Sequence, residues 1–243
     1  MEWEEPAAVL EVAPYGEGDA LVTVLTAGLG AWRGLAKGGN SRKKTAIWQR
    51  GNLLTARWVG RHAEQLGVLT GELVHPGAAL AMEDRVSLAV LEAACAVAAG
   101  ALPEREAHPA AFAGLVKVLA GINVEGAAAP GLVLWEVELL RELGFGMDFS
   151  GSAVAGDNDR LAFVSPRTGR AVSLSGAGEW AGRLLKLPAF LLDGSDPDWA
   201  DVLDGMKLTG HFLARDVFGG RNLPLPAARA RLYDLISDRA LEA

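Results

Sequence analysis

The sequence is short of the features that mark secreted and membrane proteins. Its 243 residues include one cysteine, Cys95, which excludes an internal disulfide and indicates a reducing compartment. The longest stretch without a charged side chain, 20–32, has 13 residues, whereas a membrane-spanning helix needs about 18. The first residues, MEWEEP, are acidic where an export signal is basic. We therefore expect a cytoplasmic protein that does not cross a membrane.

Acidic side chains are absent from residues 20–63, although the whole chain carries a net charge of −7. That interval holds eight cations: Arg33, Lys37, Arg42, Lys43, Lys44, Arg50, Arg57 and Arg61. Residues 81–243 contain 15 basic and 22 acidic side chains and so account for the net charge. A short basic run is often only a solvated loop surface, but eight cations without a counter-charge indicate an anion-binding face.

Residues 6–74 alternate short apolar segments with turns, a pattern that predicts a small β domain. The five predicted strands are Ala7–Val12, Ala20–Thr26, Ala31–Ala36, Asn52–Val59 and Leu66–Val74. Glycine-containing turns at 15–19, 28–30 and 37–41 separate the first strands. Five short strands so close together favour a closed barrel, because closure removes exposed strand edges. We assign this barrel to residues 1–78.

From residue 79 onward the apolar spacing is helical, which predicts a second, α-helical domain over 79–243. The predicted helices are Asp84–Ala101, Ala110–Ile122, Gly131–Leu143, Gly178–Leu192, Pro197–Phe218 and Pro226–Leu241. Gly144 is placed to end the third helix, and Asp196 is placed to cap the fifth. Residues 149–176 interrupt the pattern and predict a β-hairpin insertion. The expected fold class is α+β, with the barrel first and the helices after it.

Motifs for catalysis and metal binding are absent from the sequence. A structural zinc site needs four cysteine or histidine ligands at short spacing, and here Cys95 is accompanied only by four widely separated histidines. The glycine-rich segment 34–39 fails as a phosphate-binding loop because Asn40 stands where a lysine is required. Helix capping and solvated faces explain the acidic group at 193–204 more simply than a calcium site. We expect neither an enzyme nor a bound metal or cofactor.

Tryptophans are interleaved with the cations of residues 20–63, as in proteins that bind single-stranded nucleic acid. In such proteins bases stack on aromatic rings while phosphates pair with cations. Trp32 and Trp48 are candidates for stacking, and the glycine-rich loop from Lys37 to Lys44 is the candidate phosphate site. The alternative for each tryptophan, and most of all for Trp58, is a place in the barrel core.

The order of these signals resembles the RecO family of DNA repair proteins. The residues that carry the resemblance are Val9-Leu10, Tyr15-Gly16-Glu17, Thr26 before Gly28-Leu29-Gly30, Gly34 to Gly38, Ser41 to Lys44, Gln49, Gly51 and Leu66-Gly67. Further along, the segments from Glu136 to Gly144 and from Phe163 to Gly169 look like a helix and a hairpin of that family. The resemblance implies a barrel of the oligonucleotide/oligosaccharide-binding (OB) type, followed by a helical domain with a small hairpin.

The resemblance also implies a mediator of homologous recombination in the RecF pathway. Such a protein binds single- and double-stranded DNA, anneals complementary strands and helps to load RecA onto DNA coated with single-strand-binding protein. RecR and the acidic, Phe-ending C-terminal tail of the coating protein are implied partners, and the bacterial nucleoid is the implied location. Some relatives carry a four-cysteine zinc knuckle at the hairpin. Ser152 and its neighbours offer no thiol, so the knuckle expected here is zinc-free.

Ten residues form the predicted DNA-binding site: Arg33, Lys37, Arg42, Lys43, Lys44, Arg50, Arg57, Arg61, Trp32 and Trp48. Two other functions stay open at this point. One is a protein-interaction adaptor without DNA binding of its own, and the other is an enzyme that acts on nucleic acid.

Overall fold

The computed structural model describes residues 1–154 and 160–242, and its N-terminal part is a ring of five strands. These are β1 (Glu2–Tyr15), β2 (Asp19–Thr26), β3 (Gly30–Ala36), β4 (Leu53–Val59) and β5 (Gly67–His75). They close a barrel in the order β1-β2-β3-β5-β4, with β4 against β1. Strands β3 and β5 run parallel and pair only at Gly34–Gly67 and Leu35–Val68. The predicted α+β order, with five strands first and helices after them, is confirmed.

Trp58 lies at the centre of the barrel because three glycines leave space for its indole ring. A Cβ added at Gly60 or Gly67 would lie 2.4 Å from that ring, and one at Gly34 would lie 3.0 Å from it. The side chain of Trp58 is fully buried. Its ring meets that of Trp32 edge to face, with 5.4 Å between the ring centroids. The barrel interior is therefore a packed aromatic core.

Three helices follow the barrel: α1 (Gly77–Ala81), α2 (Arg85–Ala101) and α3 (Pro109–Ala120). Asp84 caps α2, at the predicted start of that helix. The apolar face of α2 packs on β1, where the Cys95 thiol lies 3.7 Å from the carbonyl oxygen of Val9. Gly51, with φ of +83°, lies so close to Leu91 of α2 that a side chain there would collide with it. Helix α2 is thus fixed to the barrel at two points.

The chain divides into two compact units. The first comprises Met1–Ala128 with Pro226–Arg229, and the second comprises Ala129–Leu225 with Ala230–Ala243. The strands end at His75, close to the predicted domain boundary at residue 78. The first unit is nevertheless larger than the barrel, because α2 packs on β1 and brings the first helices into the same unit.

The second unit contains a small sheet of three strands. Strands β6 (Leu161–Val164) and β7 (Ala171–Ser173) form a hairpin in the predicted segment, and β8 (Leu185–Lys186) pairs with the other edge of β6. Residues 155–159 of the predicted insertion 149–176 lie outside the described residues. The hydroxyl of Ser152 accepts hydrogen bonds from the backbone N–H groups of Val154 and Ser173, each at 3.2 Å. Hydrogen bonds accepted by the Ser152 hydroxyl therefore hold the base of the hairpin.

The predicted helix Gly178–Leu192 is wrong. Helix α5 (Leu174–Ala177) precedes this segment, which itself contains a 3-10 turn (Gly178–Arg183), strand β8 and the short helix α6 (Phe190–Asp193). Gly178 adopts φ of +46°, which an α-helix excludes. The Leu185–Lys186 backbone instead completes the edge of β6. Sheet pairing over a long sequence separation thus overrides the local helical pattern.

The longer helices of the C-terminal part are α4 (Ala128–Glu142), α7 (Trp199–Phe212) and α8 (Ala227–Glu242). Gly144, with φ of +86°, follows the end of α4 as predicted. The cap of α7 is Asp198 and not the predicted Asp196, because the Asp198 carboxylate accepts a hydrogen bond from the N–H of Asp201 at 2.8 Å. A π-helical turn (Leu213–Phe218) and a 3-10 turn (Gly219–Arg221) continue α7. Among the described residues no helix is both long and apolar enough to span a membrane.

The glycines around Trp58 give a test of the barrel core. A Cβ introduced by Gly67→Ala would lie 2.4 Å from the indole ring and 2.6 Å from the carbonyl oxygen of Val59. We expect this change to lower the free energy of unfolding, measured in urea, by about 1–3 kcal/mol. Gly18→Ala is the matched control, because nothing lies within 4 Å of a Cβ at that position, and it should shift the value by less than about 0.5 kcal/mol. Equal stability of the two variants would contradict the packing described for Trp58.

Candidate nucleic-acid interface

The connection between β3 and β4 begins with an ordered loop, residues 37–45, which we call the cationic loop. The N–H of Gly39 donates to Ala36, that of Ser41 donates to Gly38, and that of Lys44 donates to Ser41, each at 3.0 Å to the carbonyl oxygen. Gly38 adopts φ of +64°, a conformation that suits glycine. These consecutive turns give the cationic loop a defined shape instead of an extended path.

The cationic loop is attached to the turn between β1 and β2. The Asp19 carboxylate accepts a hydrogen bond from the N–H of Gly38 at 2.7 Å. Asn40 donates its side-chain amide to the Asp19 carbonyl at 2.7 Å and its backbone N–H to the Gly18 carbonyl at 3.1 Å. An acidic side chain thus supports the backbone of the loop while the basic side chains stay outside this contact.

Four cations of the cationic loop, Lys37, Arg42, Lys43 and Lys44, are exposed. Within residues 1–154 and 160–242, none of them forms an ion pair with a carboxylate. The Lys44 ammonium donates to the carbonyl oxygen of Lys37 at 2.9 Å, which keeps its charge at the start of the loop. Four like charges held so close together, without internal compensation, form a local site of positive potential.

Three of the eight predicted cations are neutralised inside the first unit. Arg33 pairs with Glu104 at 2.9 Å. Arg57 donates from Nε to Glu2 at 2.8 Å. Glu104 and Glu2 lie outside residues 20–63, so a count of the charges within that interval does not reveal these ion pairs.

The third neutralised cation, Arg50, has a structural role. Its guanidinium pairs with Glu92 of α2, and its Nε donates to the carbonyl oxygen of Leu10 at 2.9 Å. Arg50 therefore links the end of the β3–β4 connection to β1 and α2.

The last of the eight predicted cations is Arg61, which is exposed and has no ion pair among the described residues. It lies in the β4–β5 connection, residues 60–66.

A groove of about 310 Å³ separates this β4–β5 connection from the outside of β3. Its lining includes Leu21, Arg33, Glu64, Glu104 and Arg105. The N–H of Arg105 donates to the Ala31 carbonyl at 2.9 Å, so the segment that carries Glu104 lies along β3. The positive and negative side chains of the groove balance, and this groove therefore lacks the excess positive charge of the cationic loop.

The structure corrects the prediction that Trp32 and Trp48 stack on bases. Only 4% of Trp32 and 5% of Trp48 is exposed, because both lie in the barrel core. The ring of Trp32 contacts those of Trp3 and Trp58 edge to face, with centroid distances of 5.8 and 5.4 Å. The guanidinium of Arg105 lies over the Trp32 ring, 5.4 Å from its centroid. Neither tryptophan offers a free ring face to a base.

Tyr15 is the aromatic residue that the sequence analysis missed. It is 50% exposed, while the other aromatic residues of 1–76, all tryptophans, are buried. Its neighbours Gly16 and Gly18 marked a turn, and the ring itself was not considered as a contact. An aromatic residue beside a predicted tight turn was the available signal, because a turn tip seldom buries its side chains.

The second unit contains an apolar pocket of about 340 Å³ beside the three-stranded sheet. Apolar side chains of its lining include Leu161, Phe163, Leu187 and Leu192. Arg160 and Lys186 also line the pocket, but Lys186 pairs with Asp204 at 2.9 Å. Arg160 forms no ion pair within the described ranges. Asp193, Asp201 and Asp204 line the same pocket, so its three acidic side chains outnumber its two basic ones.

Groups suited to catalysis are few in the described parts of the chain. No three His, Cys, Asp or Glu side chains of residues 1–154 and 160–242 are arranged to hold a metal ion. Complete burial raises the pKa of the Cys95 thiol to about 12. This thiol keeps its proton at neutral pH and is a core side chain instead of a nucleophile.

Comparison with known proteins identifies the family. The family models "Recombination protein O N terminal" and "Recombination protein O C terminal" match residues 1–76 and 82–223. DNA repair protein RecO of Acidiphilium cryptum is 60% identical over 243 residues, covering 98% of this chain and 97% of the relative. The proteins of that name from Granulibacter bethesdensis and Rhodospirillum centenum are 53% and 47% identical, covering 98% and 96% of this chain and 96% and 94% of the relatives. The chain therefore belongs to the RecO family of DNA repair proteins.

Proposed function

We propose that this protein is a non-enzymatic recombination mediator of the RecF pathway. It binds single- and double-stranded DNA, anneals complementary strands and helps to load RecA onto DNA coated with single-strand-binding protein. The observation that carries this proposal is the cationic loop, in which four exposed cations pair with no carboxylate of the described residues. We place this activity in the bacterial cytoplasm, at the nucleoid.

The barrel supports this proposal through its topology. Its strand order, β1-β2-β3-β5-β4 with β4 against β1, suits the OB type, whose members bind oligonucleotides on the outside of a small barrel. The packed core around Trp58 leaves the outer surface and the connecting loops for such contacts. We therefore assign the barrel to the OB type and place DNA at the cationic loop.

The cations of the protein would promote annealing by reducing the repulsion between the phosphates of two strands. Two DNA strands repel each other through their phosphates, and this repulsion falls when cations lie near both strands. Lys37, Arg42 and Lys43 project from an exposed loop and carry charges that can contact phosphates without reading bases. The protein thus needs no covalent chemistry to accelerate pairing, and sequence-independent binding is expected.

The two rival functions differ from this proposal in what they predict. An adaptor without DNA binding of its own would leave annealing of naked strands unchanged. An enzyme would alter a strand covalently. An annealing assay with labelled complementary strands, with and without single-strand-binding protein, followed by denaturing gel analysis, separates these outcomes. We expect faster annealing and strands of unchanged length.

Lys43→Glu with Lys44→Glu tests the cationic loop. For single strands the slope of log affinity on log salt is about −0.7 per phosphate contact. The four loop cations and Arg61 therefore predict about −3.5 for the unmodified protein, and the double variant should give about −2. Loss of two contacts alone corresponds to about 25-fold weaker binding at 0.1 M salt, measured by fluorescence anisotropy.

The matched control is Lys117→Glu with Arg231→Glu, which changes the net charge equally at exposed positions of α3 and α8. It should retain both the affinity and the slope. An equal loss in the two double variants would place the binding site elsewhere.

Glu104→Gln tests the neutralisation of Arg33. Removing this carboxylate frees a guanidinium that it now holds at 2.9 Å. One additional phosphate contact should steepen the slope by about 0.7 and strengthen binding about 5-fold at 0.1 M salt. Glu64→Gln is the control, because it removes one negative charge from the same groove without releasing an arginine. If the slope steepens equally in both variants, the ion pair does not restrain Arg33.

We further propose RecR and the C-terminal tail of single-strand-binding protein as partners, and we place the tail in the pocket beside β6. The apolar surface formed by Leu161, Phe163 and Leu187 suits the terminal phenylalanine and carries the placement, because the pocket has no excess of positive charge. Arg160, which pairs with no carboxylate of the described residues, is the cation that we assign to the acidic part of the peptide.

Arg160→Ala tests this placement with a synthetic peptide of that chemistry. Loss of a charge-assisted contact should weaken peptide binding about tenfold or more, measured by fluorescence anisotropy. Arg167→Ala, at an exposed position of the β6–β7 turn, should leave peptide binding unchanged. If the unmodified protein and both variants bind the peptide with similar affinity, the tail does not bind in this pocket.

A further inference from the structure

Tyr15 occupies a position that its packing does not explain. It is the last residue of β1 and is 50% exposed. Its hydroxyl forms no hydrogen bond within the described residues. A Cβ added at Gly16 or Gly18 of the adjoining turn would meet nothing within 4 Å, so the surroundings of this turn are open. The Tyr15 ring is thus accessible to a ligand.

The pairing of β1 with β2 places Tyr15 on the same side as the cationic loop. Tyr15 and Asp19 are directly opposite partners in the ladder, and such partners project their side chains from the same face, with Cβ atoms about 5 Å apart. The Asp19 carboxylate is hydrogen-bonded to the N–H of Gly38 at 2.7 Å. The side chain of Tyr15 therefore begins within about 10 Å of the cationic loop.

Two ammonium groups belong to the same part of that loop. Lys37 directly precedes Gly38, and the Lys44 ammonium is bound to the Lys37 carbonyl oxygen at 2.9 Å. An accessible ring therefore lies near cations that pair with no carboxylate of residues 1–154 and 160–242. A single nucleic-acid strand presents the complementary groups, namely unpaired bases for stacking and phosphates for the cations.

We propose that Tyr15 is the base-stacking residue of this site, with the flanking phosphates of a single strand on Lys37 and Lys44. This inference rests on the proposed DNA binding by the cationic loop and adds to it a preference for unpaired bases. In a duplex both faces of an internal base are covered by its neighbours, so the tyrosine ring contributes only where a base is unstacked. The cations, by contrast, contact either form.

The decisive measurement compares Tyr15→Ala with the unmodified protein on two ligands of the same length, an oligothymidylate of about 12 nucleotides and a blunt duplex. Loss of one stacked base should weaken binding of the single strand about 5- to 100-fold, while duplex binding changes less than about twofold. Tyr15→Phe retains the ring and should retain the affinity for the single strand.

Trp180→Ala is the matched control, since Trp180 is also exposed and lies under a guanidinium, that of Arg183 at 5.0 Å. It should leave both affinities unchanged. Thermal unfolding of each variant identifies any loss of structure, which is not expected for the exposed Tyr15.

Two results would overturn the inference. An unchanged affinity of Tyr15→Ala for the single strand would exclude stacking, and an equal loss on single strand and duplex would mean that Tyr15 acts by shaping the loop. Failure of the inference is distinguishable from failure of the proposed function. If the Lys43 and Lys44 reversal weakens binding and Tyr15→Ala does not, only the stacking role is lost. If neither change has an effect, the DNA site itself is wrong.

Discussion

Closure of the barrel around Trp58 is the constraint on which the arrangement of the first unit depends. The indole ring requires glycine at positions 34, 60 and 67, and these in turn bring β3, β4 and β5 close enough to complete the ring of strands. A filled interior moves every charged side chain of the barrel to its outside or to its loops. The aromatic core and the exposed cations are thus two results of the same packing.

The net charge of a surface depends on ion pairs with residues that are distant in the sequence. Eight cations lie in an interval without acidic residues, but three of them form ion pairs with carboxylates from other parts of the chain, namely Glu2, Glu92 and Glu104. The four loop cations pair with no carboxylate of residues 1–154 and 160–242, and the carboxylate that contacts the loop, Asp19, accepts a hydrogen bond from the backbone N–H of Gly38. A carboxylate that binds the backbone of a basic loop can support that loop, while the basic side chains of the loop stay available to an anion.

Much of the fold could be predicted from local patterns, and the two main errors, the helix over Gly178–Leu192 and the exposure of Trp32, have a common cause. The five strands and the start of α2 at Asp84 follow from alternation, turns and capping, all of which act over a few residues. The helix predicted over Gly178–Leu192 failed because β6 recruits Leu185–Lys186 across a longer separation. Burial of Trp32 likewise depends on Trp3 and Trp58 from two other strands. The exposure of Tyr15, by contrast, has a local signal, because this residue adjoins a turn that the sequence predicts.

The most direct test of the account is a titration of the isotope-labelled protein with oligothymidylate, followed by amide NMR. We expect the amide signals of Gly38 to Thr45 to shift most, together with that of Asp19, because the Asp19 carboxylate binds the Gly38 N–H of the cationic loop. Signals of the second unit, such as those of Phe163 and Val172, should stay in place. Shifts concentrated in the second unit, with the cationic loop unaffected, would contradict the claim that this loop is where the protein holds DNA.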